Sequence, residues 1–183
     1  FLTNNNKGSG YTNKKIINDL NNCILNINEP FLEKVLIKKN KFITFTCDFS
    51  LLKKCDIVYI SQDIITNSNG ESSLVEIEYL IKKVINHLRK EQILIILSQV
   101  PPGFTRINLK KFKNIFYQVE TLIFGQAFER TMHPERYIIG CEKPENPLPK
   151  MFVDFLKSTN SPSKTVGSKP SKNFKKDLHR VPM

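Results

Sequence analysis

Polar side chains able to do chemistry stand in this sequence where apolar stretches end. Glu120 follows the apolar-rich FYQV and precedes TLIFG. A carboxylate between apolar stretches is costly to bury unless it is paired or hydrogen-bonded, and such groups gather in active sites. Glu120 is therefore either a base that orders a water or a structural cap. Ser98, Gln99, Val100, Pro101, Pro102 and Gly103 form a second cluster, where ILIIL runs straight into a rigid turn. This is either a loop that presents backbone groups and Gln99 to a ligand or an ordinary strand exit. Ser61, Gln62 and Asp63, directly after CDIVYI, read the same way: the edge of a crevice or a solvated triplet. In the HPER stretch, Arg136 suits a bidentate contact to a diphosphate, whereas an Arg136–Glu135 neighbour pair is ordinary surface. GSGY at 8–11 has the look of a phosphate loop but not its surroundings. Such a loop needs a buried strand before it and a third glycine, and here FLTNNNK precedes it while Asn13 holds the glycine position.

The elements that must position these groups alternate. KFITFTC at 41–47 alternates and reads as a strand; CDIVYIS at 55–61 and QILIILS at 92–98 are near-continuous apolar runs, as in parallel strands covered on both faces. NIFYQV at 114–119 and RYIIGC at 136–141 read as further short strands. Helical patterns run through Ile16, Ile17, Leu20 and Ile24, over Phe31 to Lys38, from Ser73 to about Lys90, over Ile107 to Phe112, and along PLPKMFVDFLKS at 147–158. Ser73-x-x-Glu76 has capping-box spacing, and Leu51 and Leu52 suggest a short helix after the first strand. The pattern predicts an α/β fold with a parallel sheet flanked by helices on both faces, and ligands at the carboxyl ends of its strands.

Length and composition narrow the classes. The 183 residues leave room for one domain and an appendage. The longest mostly apolar run, ILIILSQV, is far short of the roughly 20 residues that span a membrane, and a cytoplasmic setting is the default expectation. Cys23, Cys47, Cys55 and Cys141 are scattered and read as reduced thiols, with no metal site expected. The net charge of +11 invites a nucleic-acid partner. From Thr159 onward, however, six basic residues stand against Asp177 alone, so +5 of that charge lies in a Ser/Lys/Pro-rich tail. The tail, residues 159–183, is expected to be disordered, as is the Asn/Gly/Thr-rich lead, residues 1–13. A nucleic-acid partner is not expected.

Several ordered stretches across residues 14–158 resemble nucleotide-sugar dehydrogenases of the UDP-glucose 6-dehydrogenase family. KKIINDLNN followed by NEPFLEKVL is similar to the family's pattern ending glutamate-proline-glycine-leucine, with Phe31 in place of the glycine. FTCDF at 45–49 resembles a phenylalanine-threonine-threonine-aspartate step. CDIVYISQD resembles the strand that ends in an alanine-valine-x-threonine-proline loop, from which Gln62, Asp63, Ile64 and Ile65 depart. SQVPPGFTR is similar to serine-threonine-valine-proline-x-glycine-threonine, with Gln99 at a threonine position. YQVETLIFG through PERYIIG resembles the segment from asparagine-proline-glutamate-phenylalanine-leucine to proline-aspartate-arginine.

The resemblance implies a Rossmann-like NAD-binding domain over 14–158. Ser61, Gln62, Ser98, Gln99 and Pro101 would line the cofactor, Glu120 would handle water or protons, and Glu120, Leu122 and Arg136 would face a nucleotide-sugar substrate. It also implies two successive oxidations at C6 of the sugar through a cysteine thioester. The family's phosphate-binding βαβ unit precedes the position of Lys14, and its catalytic cysteine and dimer-forming helix follow the matched region. Cys141, just after the strand glycine, does not match that cysteine. The chain is accordingly expected to be an incomplete, nearly inactive piece of such an enzyme. The alternatives are a non-catalytic binding or interaction protein, or a subunit completed by another chain.

Overall fold

The computed structural model describes residues 14–25, 27–66, 68–70, 72–134, 136–159 and 178–183. GSGY, the expected flexible lead and most of the tail lie outside these residues. The chain divides into two compact units, one of residues up to Asp48 with Leu122–Thr131, the other of Phe49–Thr121 with Met132–Met183.

The second unit is built on one sheet of five strands in the order β1-β2-β3-β4-β5. They are β1 (Ile57–Ile60), β2 (Ile93–Ile96), β3 (Ile115–Gln118), β4 (Tyr137–Cys141) and β5 (Leu178–Pro182). Ile57 to Ile60 pair in parallel with Ile93 to Ile96, and Leu94 to Ile96 with Ile115 to Tyr117. Branched and aromatic residues at consecutive positions suit this arrangement, because both faces of a parallel strand are covered. Ile93, Leu94, Ile95 and Ile96 are all buried. Side chains alternate across the sheet. Ile93, Ile95, Ile139 and Cys141 pack with Leu148, Phe152 and Leu156, the last two from helix α6 (Lys150–Thr159). The Phe116 and Phe152 rings meet at 5.7 Å, and the Tyr137 hydroxyl donates to Leu156 O at 3.1 Å. Helix α3 (Val75–Ile85) buries Ile77, Leu80, Ile81 and Val84, the i, i+3, i+4, i+7 stripe of an amphipathic helix. Short α4 (Phe104–Leu109) leads into β3.

Gln92 closes the entry to β2. It is 2 % exposed, accepts a bond from Arg89 N–H through Oε1, and donates through Nε2 to Leu52 O and Cys55 O. One buried amide thus satisfies backbone groups from two connections that have no ladder partner.

The fold corrects the sequence reading in four places. The sheet is not wholly parallel: β4 runs antiparallel to β3, with Tyr117 opposite Gly140 and Gln118 opposite Ile139. Residues 43–48 are extended without forming a strand. In their place, the Asn21 side chain serves Phe45, donating to its carbonyl at 3.1 Å and accepting from its amide at 3.3 Å. The capping box is not made, because α3 begins at Val75 behind Leu74 and Glu76 accepts from Gln62 Nε2 at 3.1 Å. Finally, the tail is not unstructured at Leu178–Pro182, which pair in parallel with Tyr137–Cys141 over five positions.

The first unit carries α1 (Lys14–Asn21), α2 (Leu32–Lys39) and most of α5 (Ala127–Met132). The Glu29 carboxylate accepts N–H bonds from Gly125 at 2.9 Å, Ala127 at 2.8 Å and Phe128 at 3.4 Å. It therefore ties together segments nearly 100 residues apart and caps the start of α5. Phe31 precedes α2 at φ 68°, the left-handed region, and its ring lies 6.0 Å from that of Phe128. The backbone at position 31 thus takes the conformation that favours glycine, the residue the resemblance implies there.

Phe152 is fully buried, whereas Met151 beside it is half exposed. Phe152→Ala is expected to cost about 3–5 kcal/mol in chemical denaturation, and Met151→Ala within about 0.5 kcal/mol. Equal effects would mean that α6 does not seal this face of the sheet.

Candidate functional site

The register of β1 and β2 decides what meets at the sheet's carboxyl edge. Ile60 pairs with Ile96, and Leu97 N–H donates to Ile60 O at 2.8 Å, so the two chains leave the sheet side by side. Two residues further on are Gln62 and Ser98. Gln62 is 8 % exposed and Ser98 5 %, yet among the described residues Gln62 Oε1 and Ser98 Oγ have no hydrogen-bond partner. An unpaired buried oxygen costs about 1–3 kcal/mol, so two of them at one strand edge are an expense that a bound ligand would remove. Gln62 is oriented as well as buried. Its Nε2 donates to Glu76 Oε2, which leaves Oε1 as the acceptor to be filled. Beside it lies a cavity of about 120 Å³ lined by Gln62, Asp63, Ser73 and Glu76 with apolar walls from Ile64, Ile65 and Ile77.

A second cavity, of about 330 Å³, opens at the exits of β2 and β3. It is lined by Pro101, Pro102, Gly103, Tyr117, Val119 and Met183, among others. Gly103 sits at φ 87° as the residue before α4, so the turn after the two prolines uses a conformation open to glycine. The Tyr117 hydroxyl pKa is raised, first by burial and then by the charge of Glu120, which keeps it a neutral donor and acceptor.

Glu120 stands just past β3. Its side chain is exposed at one edge, yet its pKa lies above the ordinary carboxylate value, through partial burial of the carboxyl group and then the charge of Asp63. The reversal of β4 brings Arg136 to the same end of the sheet. Val119 N–H donates to Ile138 O at 3.0 Å, so the antiparallel register continues Tyr137 toward Glu120 and Arg136 toward Thr121.

The sequence-predicted residues therefore divide. Gln62, Ser98, Glu120 and Arg136 come to one edge of the second unit. Ser61, Gln99 and Pro101 are exposed on the loops there, with Pro101 lining the larger cavity. Leu122 is 43 % exposed and belongs to the first unit. Tyr117 and Gly140, which also line the larger cavity, were not singled out from sequence. The alternation of FYQV marks Tyr117 as facing one side of a strand but does not say that a cavity lies there. Cys141 is buried in the core, donates from Sγ to Ile139 O at 3.4 Å, and has its thiol pKa pushed up by burial. It has neither the exposure nor the thiolate character of a nucleophile.

The donor set fits a dinucleotide. Acceptors at Gln62 Oε1 and an adaptable hydroxyl at Ser98 match the hydroxyl and carboxamide donors that such a cofactor carries. They stand at the strand edge where open parallel sheets bind ligands.

Comparison with known proteins identifies the domain. The model of the UDP-glucose/GDP-mannose dehydrogenase family, NAD binding domain, matches residues 11–154. The UDP-glucose 6-dehydrogenase of Rickettsia bellii is 30% identical over 139 residues, which cover 71% of this chain and 32% of that protein. The chain thus spans about a third of the length of the curated relatives it matches. Among solved structures, a UDP-glucose dehydrogenase from Pyrobaculum islandicum superposes with a TM-score of 0.69 at 19% identity, over 93% of this chain and 39% of that one. An NDP-N-acetyl-D-galactosaminuronic acid dehydrogenase from Methanosarcina mazei gives 0.71 at 18%, over 93% and 36%. At these identities the likeness establishes the fold, a Rossmann-like α/β sheet. The family match covers most of the chain, and the chain belongs to the UDP-glucose/GDP-mannose dehydrogenase family through its NAD binding domain.

Proposed function

We propose that this chain supplies the cofactor-binding part of a nucleotide-sugar dehydrogenase and holds NAD at the carboxyl edge of β1 and β2. The observation that carries the reading is the pair of buried oxygens at Gln62 and Ser98, without a partner among the described residues, just past the ends of two adjacent parallel strands. When bound, NAD would accept hydride from the alcohol carbon of a sugar nucleotide such as UDP-glucose. The chain's own residues bind and orient. Gln62 Oε1, fixed by the bond from its amide nitrogen to Glu76, accepts from one donor group of the ligand. Ser98 Oγ gives or takes a second bond. Pro101–Gly103 shape the wall beside them, and the turn exposes backbone groups without a long side chain in the way. Glu120, with its raised pKa, takes up a proton more readily than an ordinary glutamate and gives it back to a water at the edge of the site. Arg136, at the same edge, offers a positive fork to a phosphate.

We further propose that the chain alone has little or no turnover. Its one thiol in the sheet, Cys141, is locked in the core, and the sequence contains no G-x-G-x-x-G run. Incubation with UDP-glucose and NAD is expected to yield no NADH by absorbance, and sustained NADH formation would overturn that. NADH binding, followed by nucleotide fluorescence, is the separate test of the site. Ser98→Ala and Gln62→Ala are each expected to weaken binding by about fivefold or more, the worth of one lost hydrogen bond. Affinities equal to that of the unaltered chain would place the cofactor elsewhere.

Glu120 gives a test by pH. A carboxyl whose pKa is raised on folding stabilises the fold in its protonated form, so that contribution is present at acid pH and is lost as pH rises through the folded value. Glu120→Gln is therefore expected to raise the thermal midpoint near neutral pH, with the gain closing as the buffer is acidified below the pKa of Glu120. A loss of stability near neutral pH would instead identify Glu120 as a structural cap.

A further inference from the structure

The strand β5 has a construction unlike the rest of the sheet. Its residues are largely exposed, with only Leu178 partly buried against the core, so the backbone ladder to β4 supplies most of what holds it. Met183 N–H donates to Cys141 O at 3.1 Å. In a parallel ladder alternate residues face the partner, so this bond fixes the phase. Val181 N–H also points to β4, and position 182 turns outward, where a proline removes no ladder bond. Beyond the ladder there are two side-chain anchors. Arg180 Nη1 donates to Asn146 O at 2.6 Å. Met183 lies over Gly140, where a Cβ would meet Met183 Cγ at 2.8 Å and Tyr117 Cβ at 3.1 Å. The glycine is what lets the methionine seat there. In that seat Val181, Pro182 and Met183 line the larger cavity together with Pro101–Gly103 and Tyr117. A volume of about 330 Å³ is at the low end of small-molecule sites, roughly 300–1,000 Å³.

We propose that Leu178–Met183 is a detachable strap that covers the crevice beside Pro101 and Tyr117 and competes with a ligand for it. The proposal rests on the reading that the cofactor sits at this end of the sheet. Segments held by exposed backbone bonds and little apolar burial open at low cost, and a site available only in the open form binds with an affinity reduced by the open fraction. The strap thus sets how much of the protein is competent to bind, and any partner that displaces β5 from β4 or Met183 from its seat would switch the site on.

The phase of the ladder supplies the experiment. Val181→Pro removes an inward N–H and is expected to release the strap, while Arg180→Pro falls on an outward N–H and keeps it, losing only the Asn146 bond. Met183→Ala, which empties the seat over Gly140, is a milder second release that leaves the ladder intact. Measured by hydrogen exchange on the full chain, the Ile139 and Cys141 amides are expected to exchange about tenfold faster or more in Val181→Pro than in Arg180→Pro. NADH is expected to bind Val181→Pro about tenfold tighter than the unaltered chain, with Met183→Ala in between. If NADH binds none of the four proteins, the cofactor reading fails on its own, and the strap is judged with the apolar dye anilinonaphthalene sulfonate. Brighter dye in Val181→Pro and Met183→Ala than in Arg180→Pro supports it, and equal dye overturns it. Unchanged exchange in Val181→Pro overturns it too. So does weaker NADH binding on release, which would make β5 a part of the site and not its cover.

Discussion

Two adjacent parallel strands buried on both faces impose the constraint on which this structure depends. Ile93 to Ile96 are buried at every position, while in β1 Val58 and Ile60 are buried and Ile57 and Tyr59 partly so. A polar group in these spans carries a desolvation cost unless it finds a partner, as the Tyr59 hydroxyl does in donating to Gln118 Oε1 at 3.2 Å. Chemistry can therefore enter only where the strands run out. Because Ile60 and Ile96 are in register, they run out together, and Gln62 and Ser98 arrive at the same edge. Gln92, at the opposite end of β2, has three protein hydrogen bonds, whereas Gln62 and Ser98 each keep one oxygen unfilled. The same strand thus follows a satisfied amide and leads to a buried hydroxyl with no partner among the described residues, and the contrast separates a polar residue that serves the backbone from one that does not.

The parts of the fold legible in the sequence are those whose energy comes from side-chain burial. CDIVYIS and QILIILS announce themselves because a doubly covered strand must be apolar at consecutive positions, and α3 and α6 because an apolar stripe has a helical period. Backbone bonding is far less visible. KFITFTC alternates as a strand should, but pairing needs a neighbouring ladder, and Asn21 supplies the local substitute for Phe45. The segment LHRVP has no apolar run and no alternation worth the name, yet it pairs over five positions because β4 offers it an edge. Ser73-x-x-Glu76 has the spacing of a cap, but Glu76 bonds a side chain from a different element, which no local pattern can reveal.

The candidate site was legible in position more than in detail. Strand exits named Gln62, Ser98 and Glu120 because polarity changes abruptly there. The same rule named Ser61 and Gln99, which are exposed, since sequence alternation does not say which residue of a polar pair turns inward. Arg136 reaches the site edge for a topological reason. A parallel β4 would start at the far end of the sheet, and only its reversal carries the residue before Tyr137 to the level of Thr121. Leu122 fell to the other unit because the chain leaves the sheet after Thr121 and is gathered by Glu29 through the amides of Gly125, Ala127 and Phe128.

Departures from the family pattern fall into two physical kinds. At position 31 the backbone keeps the left-handed conformation that a glycine would hold without strain, and phenylalanine is carried there with a ring contact to Phe128 as partial compensation. There the fold has held its geometry against the side chain. At position 62 the reverse holds. The strand exit is where the register puts it, and the residue there is a glutamine whose amide nitrogen is committed to Glu76 and whose oxygen has no partner among the described residues. A backbone constraint is shared by every residue around it and cannot move alone, whereas a side chain at a strand exit can change its donors and acceptors without disturbing the sheet. The sheet can therefore keep its geometry while the groups at its strand exits vary, and at this exit the groups presented are an acceptor at Gln62 and a hydroxyl at Ser98.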